Sequence, residues 1–172
     1  MLKFNNVKIK GDKGACEDTI NLINSIGEIN EIKITDAFSD ALDLDFSNLD
    51  IDNVMISKSN NDCADFSFGN YNIEKFNLNN CGDKALSVGE RSVLNTNEAI
   101  ISNSNIGIAS KDSSIINVQE TNIKNTKECL AAYNKKQEFS GSYLKIKRSK
   151  CINYYKMIDK DKFSHIEIIE EI

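Results

Sequence analysis

The segments INEIKI (residues 29–34), IDNVMI (51–56) and IEKFNL (73–78) place apolar side chains at the same three positions every 22 residues. The last of these positions continues along the chain at spacings of 22 or 23 residues, as Ile34, Ile56, Leu78, Ile101, Ile123 and Ile146. Three residues after each of them stands a small residue: Ala37, Ser59, Cys81, Ser104, Thr126 and Ser149. Two independent columns that change spacing together indicate one structural unit stacked about seven times.

A second strand-like stretch precedes each of these segments. In ALDLDF (residues 41–46) apolar and acidic residues alternate, which is the period-two pattern of a half-buried β-strand. Asn, Asp, Gly and Ser fill the gaps, as turns require. Two short strands in every repeat predict an all-β fold, a parallel β-solenoid of about seven coils of 22–23 residues. Asn80, Asn103 and Asn125 keep the same spacing and are expected to form an inward or turn-lining ladder that satisfies backbone groups.

Several blocks of the chain resemble known β-helices, notably SDALDLDFS (39–47), GDKALSVGE (82–90), GIASKDSS (107–114) and AAYNKKQEF (131–139). Over residues 15 to 153 the chain is similar to the right-handed parallel β-helices of the pectin-lyase-like superfamily. It also resembles uncharacterised β-helix segments of bacterial envelope and polysaccharide-related proteins. The resemblance implies right-handed winding and a role connected with polysaccharides. A leucine-rich repeat has a similar period, but the other half of each repeat is strand-like here rather than helical.

The repeats predict one β-helix domain over residues 1–172. Residues 1–14 are expected to form an N-terminal strand or cap, residues 15–154 the coils, and residues 155–172 a capping strand or a short helix. Unpaired strands at the ends of a solenoid can pair with other chains. The expected partners therefore include a second copy of the chain, through the strand ends, or a neighbouring domain of a longer protein.

Composition excludes some classes of function. The net charge of −5 argues against binding of nucleic acid, which favours a basic surface. No stretch is apolar enough for a membrane span, and Met1–Lys10 lacks the apolar core of a signal peptide. The only histidine, His165, is expected at the surface or in the cap, because no nucleophile or metal ligand lies beside it in the repeat.

The five cysteines are an odd number and include no C-x-x-C motif. They are expected to be free thiols packed as small apolar residues. Free thiols are typical of a reducing compartment, so the sequence favours the cytoplasm unless the chain is a segment of an exported protein.

The densest acidic cluster lies on one strand face. Residues one repeat apart stack at about 4.8 Å, so Asp43 and Asp65 are predicted neighbours, followed by Ser87 and Ser110. Asp45 flanks Asp43 on the same face. The other predicted neighbours are Ser67 on Asp45 and, at the preceding turn, the column Asp40, Asp62 and Lys84. Stacked like charges are destabilising and call for compensation.

Three interpretations of this cluster remain open. It can be an ordinary solvated strand face, or a calcium site formed by Asp43, Asp45 and Asp65, since calcium prefers several oxygen ligands. It can also hydrolyse a glycosidic bond, with Asp43 and Asp45 as acid and base and Asp65 as helper. The resemblance to β-helix polysaccharide hydrolases also implies this third role.

A lyase would instead need a base beside a cation, for which the candidates are Lys111, Tyr133, Lys135, Lys136 and Arg91. Strict alternation places Lys111 in the inward column of Leu44, Phe66 and Val88, so a bend or shift of the strand is expected there.

The nearly constant coil length favours binding over catalysis, because few long loops are available to enclose a substrate. The longest irregular insert is near residues 135–142. The first hypothesis is a non-catalytic module that binds or presents an acidic or neutral glycan. Its predicted binding face comprises Asp43, Asp45, Asp65, Ser67, Ser87, Lys111, Asp112 and Lys135. The alternatives are a polysaccharide hydrolase or lyase, and a purely structural assembly rod.

Overall fold

The computed structural model describes residues 1–11 and 16–172, and every regular element in these residues is a β-strand. The strands are β1 (Leu2–Lys10), β2 (Asp18–Ile23), β3 (Ile26–Ala37), β4 (Asp40–Asp45), β5 (Asn48–Ser59), β6 (Ala64–Ser67), β7 (Asn70–Gly89), β8 (Val93–Lys111), β9 (Ile115–Tyr133), β10 (Tyr143–Lys160) and β11 (His165–Glu171). Among the described residues there is no helix long and apolar enough to span a membrane.

The strands stack in parallel into a solenoid of about eight turns, which confirms the all-β solenoid prediction. One ladder runs β1-β3-β5-β7-β8-β9-β10-β11, and a second runs β2-β4-β6 and on into the C-terminal part of β7. The turn count exceeds the predicted seven because both terminal strands extend the first ladder. The N-terminal strand β1 pairs with β3, and the C-terminal strand β11 pairs with β10. The segment that was expected to be a capping strand or a short helix therefore contains a strand.

The register confirms most of the predicted columns and corrects their last members. Ile123 is in register with Ile101, but its next neighbour is Cys151, whereas Ile146 lies on Val118. Ser149 likewise lies on Thr121, and Thr126 is followed by Tyr154. The offset between β9 and β10 is 28 residues, because the connection between them is longer than in other coils. A corner between Val118 and Ile123 interrupts the alternation, so both side chains are inward and a slip of five residues still aligned apolar with apolar positions.

Each coil changes direction at three corners. The first, which we name the asparagine corner, has left-handed backbone at Asp36, Lys58, Asn80, Asn103, Asn125 and Asn153. The second, the phenylalanine corner, has it at Asn24, Phe46, Phe68, Glu90, Arg91, Asp112 and Ser113. At the third corner the ladder skips one residue per coil, at Asn30, Asp52, Glu74, Asn97, Gln119 and Lys147.

The predicted asparagine column lies at the first corner, but its exposed amides bond other side chains and not the backbone groups that were expected. Asn125 donates to Oδ1 of Asn103 at 3.0 Å, and Asn153 donates to Oδ1 of Asn125 at 2.6 Å. Asparagine tolerates left-handed backbone better than most residues. Conformation and side-chain bonding therefore agree at this corner.

The core is a stack of like residues along the inside of the solenoid. Leu44, Phe66 and Val88 form one inward column and are fully buried. Phe66 packs against Tyr71, whose buried hydroxyl donates to the backbone oxygen of Leu44 at 2.8 Å. The continuous core holds the outward side chains of the same strands in fixed positions.

Four of the five cysteines are bridged, which contradicts the expectation of free thiols. Disulfides join Cys63 to Cys81 and Cys129 to Cys151, with Cα separations of 5.4 and 6.4 Å, while Cys16 is free and exposed. The two cysteines of each bridge lie close together only because the chain turns within a coil. The number of residues between them in the sequence does not reveal this contact. The thiol-based reason for expecting a reducing compartment no longer holds.

Candidate functional site

The predicted acidic cluster lies on the outward side of β4, β6 and the C-terminal part of β7. Asp43 pairs with Asp65 and Asp65 with Ser87, while Asp45 pairs with Ser67. These neighbours are as predicted. We name the surface formed by Asp43, Asp45, Asp65, Ser67 and Ser87 the acidic face.

The predicted continuation of the first column to Ser110 is wrong. Ala109 lies on Ser87, whereas Ser110 lies on Val88 and is buried. The 23-residue offset between β7 and β8 returns to 22 residues between Cys81 and Lys84. The offset therefore changes by one residue next to the asparagine corner, before the chain reaches the acidic face.

The same shift corrects the placement of Lys111. Because Ser110 is inward, Lys111 is outward and follows Ser67 and Gly89 in their column. Its Nζ lies 3.6 Å from Oδ1 of Asp65, and its side chain is almost fully buried. Lys111 supplies the compensating charge that the stacked aspartates require.

The charges on the acidic face change the acidity of Asp43. Burial raises the pKa of this half-buried carboxyl to about 7, and repulsion from Asp45 and Asp18 adds to the shift. Burial, with repulsion from Asp65, also raises the pKa of Asp45. Asp43 is therefore partly protonated near neutral pH and can donate a proton or a hydrogen bond there.

Glu90 is a buried member of the cluster that the sequence reasoning missed. It accepts a hydrogen bond from Oγ of Ser67 at 2.6 Å and forms an ion pair with Lys136 at 2.6 Å. Burial opposes its ionisation, but the bonds from Lys136 and Ser67 prevail and lower its pKa. The alternation of apolar and polar residues did not identify Glu90, because Glu90 lies in the phenylalanine corner and outside the alternating stretch.

The long connection between β9 and β10 folds against the acidic face. Oδ1 of the buried Asp112 accepts the backbone N–H groups of Lys135 at 2.6 Å and Lys136 at 2.8 Å. Asp112, predicted to contact ligand, therefore holds this loop, and the side chain of Lys135 is exposed. Through Lys136 the loop is attached to Glu90. It provides one wall beside the cluster and contains the irregular insert predicted near residues 135–142, but the 28-residue offset there exceeds the nearly constant coil length that was expected.

A row of aromatic side chains lies next to the acidic face at the phenylalanine corner. The rings of Phe46 and Phe68 stack at 4.6 Å, inclined by 2°, and are 54% and 41% exposed. Phe139 of the loop lies 6.1 Å from Phe68, and the guanidinium of Arg91 lies 5.5 Å from the ring of Phe139. Sequence reasoning missed this row, although the 22-residue spacing of Phe46 and Phe68 was a usable signal.

The remaining predicted residues at the preceding turn have structural roles. The backbone N–H of Asp62 donates to Oδ1 of Asp40 at 2.8 Å, and the backbone N–H of Lys84 donates to Oδ1 of Asp62 at 2.9 Å. Lys84 also forms ion pairs with Asp62 and Asp83. The predicted column is confirmed, and its carboxylates bond the backbone of the next coil.

Within the described residues, no group of three or more His, Cys, Asp or Glu is placed to hold a metal ion. The calcium prediction for Asp43, Asp45 and Asp65 therefore gains no support from their geometry.

Comparisons with protein-family models, with curated proteins and with solved structures give no significant match to this chain. The pectin-lyase-like superfamily and the bacterial context thus rest on the sequence resemblance alone.

Proposed function

We propose that this protein binds a neutral glycan on the acidic face, with a sugar ring packed against the exposed part of the Phe46–Phe68 stack. The observation that carries the proposal is the pair of parallel, exposed phenyl rings, which directly follow Asp45 and Ser67 of the acidic face in the chain. Ligand sites typically combine an apolar contact surface with a few fixed polar groups. A sugar offers C–H groups on the face of its ring and hydroxyl groups at its edge, which matches this combination.

The charges favour a neutral over an acidic glycan. The two cations of the cluster, Lys111 and Lys136, are already paired with Asp65 and Glu90. An added carboxylate would meet mostly like charge at Asp43 and Asp45.

Calorimetric titration with neutral and uronic-acid oligosaccharides of equal length tests the proposal. We expect binding of a neutral oligosaccharide, and an affinity at least about tenfold lower, equivalent to about 1.4 kcal/mol, when Phe46→Ala and Phe68→Ala are combined. The matched control is Phe38→Ala, because Phe38 is 45% exposed but lies near the asparagine corner. Equal losses in both variants, or preference for the acidic oligosaccharide, would contradict the proposal.

Hydrolysis of the bound glycan is the second candidate function, and the pKa of Asp43 favours it. A carboxyl group with a pKa of about 7 is suited to act as general acid while a neighbouring carboxylate activates water. Release of reducing ends from a neutral polysaccharide that binds would support this function. We then expect Asp43→Asn to abolish release but keep binding. Binding without any release by the unaltered protein would leave the non-catalytic role.

A further inference from the structure

A polar groove at the third corner is separate from the acidic face. It crosses β5, β7, β8 and β9 and has a volume of about 360 Å³. Two columns of polar side chains border it, and Ile51, Ile73 and Thr96 lie between them. We name it the amide groove; its polar lining comprises Asp50, Asp52, Asn72, Glu74, Asn95, Asn97, Asn117 and Gln119.

The first column is an unbroken chain of hydrogen bonds along the solenoid axis. Asn72 donates to Oδ1 of Asp50 at 2.8 Å, and Asn95 donates to Oδ1 of Asn72 at 3.0 Å. Asn117 continues the chain by donating to Oδ1 of Asn95 at 3.0 Å. The side chains therefore hold one another at the spacing of the strands, about 4.8 Å.

The second column lies along the corner itself. Asn97 donates to Oε2 of Glu74 at 2.6 Å, and the exposed Gln119 follows in the next coil. The two columns are two residues apart in each coil, so polar groups face the groove from both sides.

The hydrogen bonds within the ladder leave a regular set of groups for a ligand. A carboxamide has two N–H donors and an oxygen with two lone pairs. In the ladder, Asn72 and Asn95 each use one N–H and one lone pair, which leaves one donor and one acceptor per rung. The groove thus offers a donor and an acceptor at Asn72, Asn95 and Asn117 in three successive coils, whereas Asp50 in the first coil offers acceptors alone.

Charge and geometry narrow the class of ligand. No lining residue is cationic, while Asp50, Asp52 and Glu74 are acidic, so phosphates and carboxylates are disfavoured. An extended peptide would pair with the edge of a sheet, whereas this groove lies on its outer face. A hydroxyl group both donates and accepts, which matches the groups left by each rung. The strand spacing is also comparable to the length of one sugar residue in an extended chain.

We propose that the amide groove is a second binding site, which holds a linear neutral polysaccharide parallel to the solenoid axis with about one sugar per coil. It depends on different residues from the acidic face, so either proposal can fail alone.

The test titrates β-1,4-linked glucose oligomers of two to six residues into the Phe46→Ala/Phe68→Ala variant, which isolates the groove. We expect affinity to rise with chain length up to about four sugars, because four coils line the groove. Combining Asn97→Ala with Gln119→Ala should lower the affinity for the hexamer at least tenfold. Both side chains are exposed, so this change is compatible with folding.

The matched control combines Asn103→Ala with Asn125→Ala, which removes amide hydrogen bonds between coils at the asparagine corner. It should bind the hexamer within twofold of the parent. Absence of hexamer binding in the parent, an affinity independent of chain length, or the same loss in the control would overturn the proposal. Cooperative thermal unfolding well above the temperature of the titration establishes that the variants remain folded.

Discussion

The asparagine corner and the phenylalanine corner use the same left-handed backbone but differ in chemistry. At the first, Asn103 and Asn125 adopt this conformation and bond to each other through their amides. At the second, Phe46 and Phe68 adopt it, although left-handed backbone costs such residues on the order of 1–2 kcal/mol. Glu90 and Asp112 occupy the same corner in later coils. Except at Lys58, the asparagine corner is composed of Asn and Asp, which suit this conformation, whereas the phenylalanine corner places Phe, Glu and Arg in it as well.

The difference separates residues that maintain the fold from residues with a further role. Unfavourable backbone conformations often lie at functional sites, where the surrounding structure maintains them. The phenylalanine corner adjoins the acidic face and holds the loop that follows β9. Comparable substitutions at the two corners should therefore have different effects on stability and on binding.

Asp112→Ala should produce the largest difference between the corners. It removes the buried acceptor of two backbone N–H groups and leaves both unpaired. We expect the free energy of unfolding to fall by about 3 kcal/mol, because hydrogen bonds to charged groups are strong. Asn125→Ala, which removes neutral side-chain bonds, should cost about 1 kcal/mol. Urea denaturation measures both, and equal losses would show that the loop does not depend on Asp112.

The acidic face should reverse the usual dependence of stability on pH. The pKa of Asp43 is raised from 3.8 to about 7. Between these values the folded state binds more protons than the unfolded state, so the free energy of unfolding falls as the pH rises from about 4 to 7. Because Asp43 is only half-buried, we expect a decrease of about 2 kcal/mol. The raised pKa values of Asp40, Asp45 and Asp62 act in the same direction, and the lowered pKa of Glu90 acts against it at low pH.

Asp43→Asn should flatten this pH profile and stabilise the protein at pH 7. Asn125→Ala, which removes no titratable group, is the control and should keep the shape of the profile. Thermal unfolding at half-unit steps of pH measures both. A profile that still falls equally in Asp43→Asn would assign the effect to the other aspartates.

Exchanging residues between the corners tests the comparison more directly. Phe46→Asn removes backbone strain but also the stacking with Phe68, which is worth about 1 kcal/mol, so stability should change by less than about 1 kcal/mol. Asn125→Phe adds strain and removes ladder bonds, and should cost about 2 kcal/mol. Only Phe46→Asn should weaken glycan binding. A large loss of stability from Phe46→Asn would mean that the phenyl ring serves mainly the fold.

The sequence predicts the solenoid well because the period and the inward alternation both arise from strand stacking. The same rule places Asp43 on Asp65 and Asp45 on Ser67. It fails where the chain leaves the period: the register shift that turns Lys111 outward, and the longer connection that aligns Cys151 with Ile123. Contacts made across a coil or by a loop, such as the disulfides and the pair of Glu90 with Lys136, have no fixed spacing in the sequence.

The smallest effect is expected from Ser87→Ala, at the β7 end of the acidic face. The hydroxyl of Ser87 is buried and has no hydrogen-bond partner among the described residues. Its removal should change stability by less than about 0.5 kcal/mol, because no bond is lost. Ser47→Ala is the matched control, since this buried hydroxyl donates to the backbone oxygen of Asp45 at 2.7 Å and accepts from the backbone of Ser25 at 2.9 Å. It should cost about 1–2 kcal/mol. If urea denaturation shows equal losses of stability in the two variants, Ser87 has a hydrogen-bond partner in solution and contributes to the fold. If Ser87→Ala leaves the free energy of unfolding unchanged, the charged residues and the phenyl rings are the groups that define the face.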